Sequence, residues 1–171
     1  MNIRPVGLDQ IPEIQVLAHK IWPPVFQSIL SEEQIEYMME MMYSTHSLEN
    51  QIGKLGHQFL IIEQEAIPLG YVSYETDYKG KAQTKIHKLY LGEESRGKGL
   101  GKKVIHEIEF LARKKGNQAL ILNVNRNNPA IDFYLKAGFD FGYEEKIDIG
   151  QGYLMDDWVM VKSLLVGKNQ E

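Results

Sequence analysis

Leu89-Tyr90-Leu91-Gly92-Glu93-Glu94-Ser95-Arg96-Gly97-Lys98-Gly99-Leu100-Gly101 is the stretch on which the fold turns. It joins a strand-like run, Lys85 to Leu91, to the clearest helical pattern of the chain, Gly101 to Lys115. There Val104, Ile105, Ile108, Leu111 and Ala112 form an apolar stripe, and Arg113, Lys114 and Lys115 precede Gly116. Glycines at 97, 99 and 101 let the backbone turn sharply and leave its N–H groups unshielded. Such donors, at the positive end of a helix dipole, suit a phosphate, and Arg96, Lys98, Lys102 and Lys103 add charge there. A hydrogen bond to a charged group contributes roughly 1.5–3 kcal/mol, so a few of them could retain a diphosphate. The nucleotide-hydrolysing pattern G-x-x-x-x-G-K fits Gly92, Gly97 and Lys98, but Gly99 follows where Ser or Thr must hold magnesium. The dinucleotide pattern G-x-G-x-x-G fails at Lys102 or at Val104. The glycines alone fit either a phosphate cradle or a tight strand-to-helix turn.

Toward the amino terminus, Ile3 to Val6 reads as a strand, and Asp9 is placed to cap a helix to about Lys20. Ile14, Leu17, Ala18 and Ile21 share one face of that helix, and Pro23-Pro24 should end it. Ser31 and Gln34 have the S-x-x-Q form of a capping box, which predicts a second helix through Met42. Gln58–Glu63 and Gly70–Thr76 read as strands joined by a turn at Ala66 to Leu69. Toward the carboxyl terminus, Ala119 to Val124 is aliphatic enough for a strand covered on both faces. Asn128 and Pro129 open a short helix that closes at Gly138, and Gly142–Ile149 and Met155–Lys162 pair as final strands. The order predicts an α/β (α+β) mixture around one sheet.

The 171 residues are 43% hydrophobic and 25% charged, which predicts one globular domain over 1–171. Without cysteine the chain has no disulfide, thiolate nucleophile or cysteine zinc site. Its 5 histidines lack the spacing of zinc ligands, so no metal is expected. With 19 basic and 23 acidic residues, the net charge of −4 lacks the basic balance of a nucleic-acid binder. No apolar run approaches the ~20 residues of a membrane helix, and Met1 to Pro5 has no signal-peptide character. A cytoplasmic protein away from the membrane is expected.

Arg96-x-x-Gly99-x-Gly101 after Leu89-x-Leu91 resembles the acetyl-CoA signature of the GNAT superfamily of N-acetyltransferases. Asn127-Asn128-Pro129-Ala130-Ile131-Asp132-Phe133-Tyr134-Leu135-Lys136-Ala137-Gly138-Phe139 resembles the same family's N-x-x-A-I-x-x-Y-x-x-x-G-F segment. The likeness covers about residues 55–162, and the two amino-terminal helices more loosely. It implies a GNAT-like acyl-CoA N-acyltransferase fold: a central mixed, mostly antiparallel sheet with splayed parallel strands and flanking helices. It also implies acetyl-CoA as donor, its diphosphate on Arg96, Gly97, Lys98, Gly99, Leu100 and Gly101. The pantetheine arm would lie like an added strand between Leu89-Tyr90-Leu91 and the strand of Leu122 to Asn125, with Asn123 and Asn127 against the cofactor. Tyr134 matches the general acid of many members. A phenol of reference pKa ~10 keeps its proton at neutral pH and can pass it to a departing thiolate. Ala130, Ile131 and Ala137 share its helix face, so a packed core tyrosine is the other possibility.

Some relatives carry a glutamate on the strand entering the loop, where this chain has Lys85-Ile86-His87-Lys88; His87 and Glu75 are the candidate bases. Ile21-Trp22-Pro23-Pro24-Val25-Phe26 and Ser31 to Met39 resemble the acceptor-side helices, especially of the bacterial spermidine/spermine acetyltransferase (PaiA-like) branch. Tyr153-x-Met155-x-Asp157 resembles that branch as well. Trp22, Phe26 and Tyr37 are the acceptor-binding candidates, while Glu32, Glu33, Glu36 and Glu40 either offer charge to a polycation or form a solvated face. The resemblance implies direct acetyl transfer to a primary amine of a small molecule, polyamines included. A peptide acceptor, or a noncatalytic acyl-CoA-binding module, is the alternative. Apolar surface on the last strands would permit a homodimer.

Overall fold

Where the sequence carries strong local chemistry, the chain follows it. The computed structural model describes residues 1–166. Strand β1, Asn2–Val6, leads through a 3-10 turn at Leu8–Gln10 into helix α1, Ile11–Phe26. Asp9 lies inside that turn and caps nothing: Gln10 holds the cap position, and its side chain accepts the Gly7 N–H at 2.8 Å. Pro23 and Pro24 do not end α1, which continues to Phe26. A proline costs a helix one N–H donor and crowds the preceding turn. Here that occurs in the last turns, where Ile21, Trp22 and Phe26 are buried and hold the helix in place.

Helix α2 spans Glu32–Tyr43, and the Ser31 hydroxyl accepts the Gln34 N–H at 3.2 Å, as the capping pattern predicts. A third helix, α3 at Thr45–Gly53, has no counterpart in the sequence-based expectation; Ser44 caps it by accepting the Ser47 N–H. Strands β2, Gln58–Gln64, and β3, Ile67–Glu75, form the expected hairpin with a tighter turn. Gln64 pairs with Ile67, and Glu65 and Ala66 take φ of 51° and 63°, so Ile67 to Leu69 belong to the strand.

Strand β4, Gln83–Leu91, runs into the glycine loop and helix α4, Leu100–Lys114. Then follow β5, Ala119–Asn125; α5, Ala130–Lys136; β6, Asp140–Gly150; and β7, Tyr153–Ser163. Asn128 caps α5 through the Ala130 N–H at 2.9 Å. Gly138, at φ 95°, closes it: its own N–H reaches Leu135 O and the Phe139 N–H reaches Tyr134 O.

The seven strands are ordered β1-β2-β3-β4-β5-β7-β6, a mixed sheet accompanied by five α-helices among the described residues. Its one parallel pair with a defined register is β4 with β5, from Gln83↔Ala119 to Ile86↔Leu122; β4 runs on to Leu91 and β5 to Asn125 beyond that ladder. The chain divides into two compact units, Met1–Glu75 with His87–Val104, and Thr76–Ile86 with the residues from Ile105 onward. The first has an apolar core around Ile14, Leu48, Ile61, Ile62 and Val72; the second has one around Ile108, Leu120, Phe139 and Met160.

Within the first unit Gly70 sets how closely β3 approaches the end of β4. A Cβ there would lie 2.3 Å from the Tyr90 carbonyl oxygen and 2.7 Å from Leu91 Cδ2. Gly70→Ala should therefore cost about 1–3 kcal/mol through forced backbone movement and lower Tm by several degrees in thermal melts. Gly53→Ala, with nothing within 4 Å of the added carbon, should leave Tm unchanged or slightly higher.

Candidate functional site

The first helical turn of α4 leaves main-chain donors without intrahelical acceptors. The first i to i−4 bond runs from the Lys103 N–H to Gly99 O, so the N–H groups of Gly99, Leu100, Gly101 and Lys102 precede it. Gly97 and Gly99 take φ of 73° and 67°, which a side chain would strain, and nothing lies within 4 Å of where their Cβ atoms would be. The result is a bare concavity of amides. Lys98, Lys102, Lys103 and Arg96 are exposed around it, while the Leu100 side chain is buried beneath. Ser95 anchors the loop's entry by donating its hydroxyl to Gly92 O at 2.5 Å. Lys20 of α1 ties down the neighbouring Glu94 by an ion pair.

Upstream of the loop Tyr90 meets Trp22, Phe26 and Tyr71 in one aromatic cluster, with centroids 6.4, 6.1 and 5.8 Å away. Because α1 continues through its prolines, Trp22 and Phe26 share a face, 4.1 Å apart. Both are buried and pack against Tyr90, whereas Tyr37 is half-buried on α2. On the same unit a groove of about 620 Å³ lies along α1 and α2, with Glu32, Glu36 and Glu40 on one side and His19, Pro23 and Gln27 on the other. Glu33 does not line it.

The two candidate bases lie together. His87 Nε2 sits 2.9 Å from Glu75 Oε2. A third residue that sequence spacing did not single out, His57, stacks on His87 at 3.8 Å and 13°, its Nε2 3.6 Å from the same oxygen. The three ligand atoms fall within 4.8 Å of one another, close enough in distance for a metal ion. Near-parallel rings, however, send their in-plane lone pairs along separate lines, so the arrangement is a stack with a hydrogen bond. His57 Nδ1 is buried with no partner among the described residues. Burial, then the positive charge of Lys88, draws the His57 pKa down to about 4. Lys88 itself is buried over the Tyr43 and Phe59 rings and donates to Gln51 Oε1 at 2.7 Å.

In the second unit Tyr134 is buried on α5, edge-on to Phe133 and Phe139. Asn123 belongs to a polar network: its amide donates to Glu145 at 2.8 Å and Asp157 at 3.3 Å, and its oxygen accepts from Lys85. Burial raises the Asp157 pKa, opposed by the Asn123 bond. Asn127 is exposed, its backbone N–H held by Asn125 Oδ1.

The acetyltransferase (GNAT) family model matches residues 22–139. The chain belongs to this family. It is an acetyl-CoA-dependent N-acetyltransferase, with acetyl-CoA as its donor. A spermidine N(1)-acetyltransferase of Thermoplasma acidophilum is 29% identical over 144 residues, covering 81% of this chain and 88% of that protein. The crystal structure of the PaiA N-acetyltransferase from the same organism, in complex with coenzyme A, aligns with a TM-score of 0.78 at 26% identity, over 95% of this chain and 98% of that one. A GCN5-related N-acetyltransferase structure from Rhodopseudomonas palustris reaches 0.79 at 21% identity, over 95% and 94%, and shares the fold.

For this GNAT protein the buried amine of Lys88 gives a test of the site's electrostatics. Burial lowers its pKa from 10.5 to about 8, so between those values the unfolded chain binds more protons and stability rises with pH. The gain is on the order of 3 kcal/mol across that interval. Lys88→Met should lack this rise when urea melts at about pH 8 and about pH 10 are compared with those of the unaltered chain.

Proposed function

We propose that the enzyme transfers acetyl directly from acetyl-CoA to a primary amine of a small molecule, and that the preferred acceptor is a polyamine. The observation that carries the acceptor class is the groove along α1 and α2, where Glu32, Glu36 and Glu40 face a volume of about 620 Å³. Four helical residues rise ~6 Å, comparable with the spacing of amines on three- or four-carbon chains, so successive carboxylates can meet successive cations. The likeness to a spermidine acetyltransferase supports the same choice.

In this mechanism the amides at Gly99 to Lys102 hold the diphosphate, with Arg96 and Lys98 beside it, and Leu89 to Leu91 offer main-chain groups to the pantetheine arm. Glu75 lies 2.9 Å from His87 Nε2 and orients the ring, and His87 takes the proton from the amine. The deprotonated amine attacks the thioester carbonyl, the C–N bond forms and the C–S bond breaks. Tyr134 supplies the proton to the departing sulfur. Trp22, Phe26 and Tyr37 shape the acceptor side through the Tyr90 cluster and α2. A cytoplasmic location completes the proposal and rests on composition alone.

Thiol release from acetyl-CoA with a panel of amines tests this directly. Polyamines should give the highest kcat/KM, and turnover on peptide amines alone would replace them with a protein acceptor. Replacing Glu32, Glu36 and Glu40 together by Gln should raise the polyamine KM at least ~10-fold at low salt, less at high salt, with the acetyl-CoA KM unmoved. Tyr134→Phe should lower kcat by about 10²–10⁴-fold while acetyl-CoA affinity stays nearly constant; unaltered turnover removes Tyr134 from the reaction.

A further inference from the structure

The stack of His57 on His87 has a consequence for proton transfer. A base works only while unprotonated, and His87 stands 2.9 Å from the Glu75 carboxylate, which by itself favours the imidazolium. One feature opposes that pull. The His57 ring lies flat against His87, 3.8 Å between centroids, and keeps water from that face. Its Nε2 lies 3.6 Å from the same Glu75 oxygen, beyond hydrogen-bond distance, so His87 keeps the closer contact with the carboxylate. We propose that His57 is a positioning residue that keeps His87 in its proton-accepting form by covering one face of the ring.

The surroundings fit that role. From β3 the charged group facing His57 is Glu75; from β4 they are His87 and Lys88. The end of α3 contributes the Gln51 carbonyl, which accepts the His57 N–H at 2.9 Å and fixes the residue at the mouth of β2. Gln51 also receives Lys88, which stands over the Tyr43 ring of α2. With Lys88 nearby and Nδ1 buried without a partner among the described residues, His57 stays neutral.

The inference rests on His87 being the base, and the experiment separates the two. kcat/KM with the best amine is measured against pH for His57→Ala, His57→Gln, His57→Phe and His87→Ala, alongside thermal melts and an NMR titration of the His87 ring. Losing the cover should let His87 hold its proton to higher pH. In His57→Ala and His57→Gln the acid limb should move up by about one pH unit, with about a tenfold loss near pH 6.5 and recovery near pH 9. His57→Phe keeps the flat cover and should move the limb less. An unmoved acid limb in His57→Ala, or a loss equal at every pH, overturns the role of His57 even if His87→Ala still alters the profile. An unchanged profile in His87→Ala overturns the base assignment itself. If His57→Ala does not fold, identical profiles for the Gln and Phe variants overturn the proposal.

Discussion

A diphosphate needs several donors converging in a small volume, and a helix start supplies them only where side chains are absent. On the proposed reading that constraint governs the segment from Gly92 to Lys102. Gly97 and Gly99 adopt the positive φ that side chains would strain, and the first turn of α4 leaves four N–H groups ahead of its first i to i−4 bond. The lysines around the loop are exposed, so their charges are screened by salt and steer more than they hold. The main chain, held at its entry by Ser95 on Gly92 O, provides the fixed geometry. Gly70 serves a related need one strand away: without a Cβ it lets β3 close on the β4 residues that lead into the loop.

The same unit contains polar and ionisable groups that burial makes costly. Lys88 lies under aromatic rings with one amide oxygen as its partner, and burial lowers its pKa to about 8. His57 is held neutral beside it. Trp22 Nε1 and Ser73 Oγ are buried there without partners among the described residues. Natural folds leave such groups in few places, and each carries a desolvation cost. That several belong to the unit holding His87, Glu75 and the glycine loop is consistent with a surface built for chemistry at some expense to stability.

What the sequence disclosed followed the range of the forces involved. Ser31 caps α2 because the bond spans three residues, and Asn128 with Gly138 brackets α5 for the same reason. The glycine loop was legible because its requirement is local backbone freedom. Glu75 and His87 were named as separate candidates, and only the pairing of strands put them 2.9 Å apart. His57 escaped notice because nothing near it in sequence marks it; the β2–β3 hairpin and the Gln51 carbonyl bring it to His87. The network of Lys85, Asn123, Glu145 and Asp157 is likewise assembled from four strands. The run through Pro23 and Pro24 was misjudged because a local rule was applied where buried contacts at Trp22 and Phe26 outweigh it. Helix α3 was overlooked because its cap, Ser44, directly follows the end of α2 and gives no intervening break.

On the proposed acceptor, one physical conflict remains to be resolved by the fold. Carboxylates that attract an ammonium also strengthen its hold on its proton, yet the attacking nitrogen must be neutral. A single-amine substrate would face both demands at one atom. A polyamine separates them, since Glu32, Glu36 and Glu40 can hold the distal cations along α2 while another nitrogen gives up its proton to His87. Binding energy gained on groups that do not react then positions the one that does. On the proposed reading the nitrogen that reacts is the one at His87, away from the carboxylates of α2 that hold the distal cations, so the attraction that delivers the substrate is not exerted where the proton has to leave.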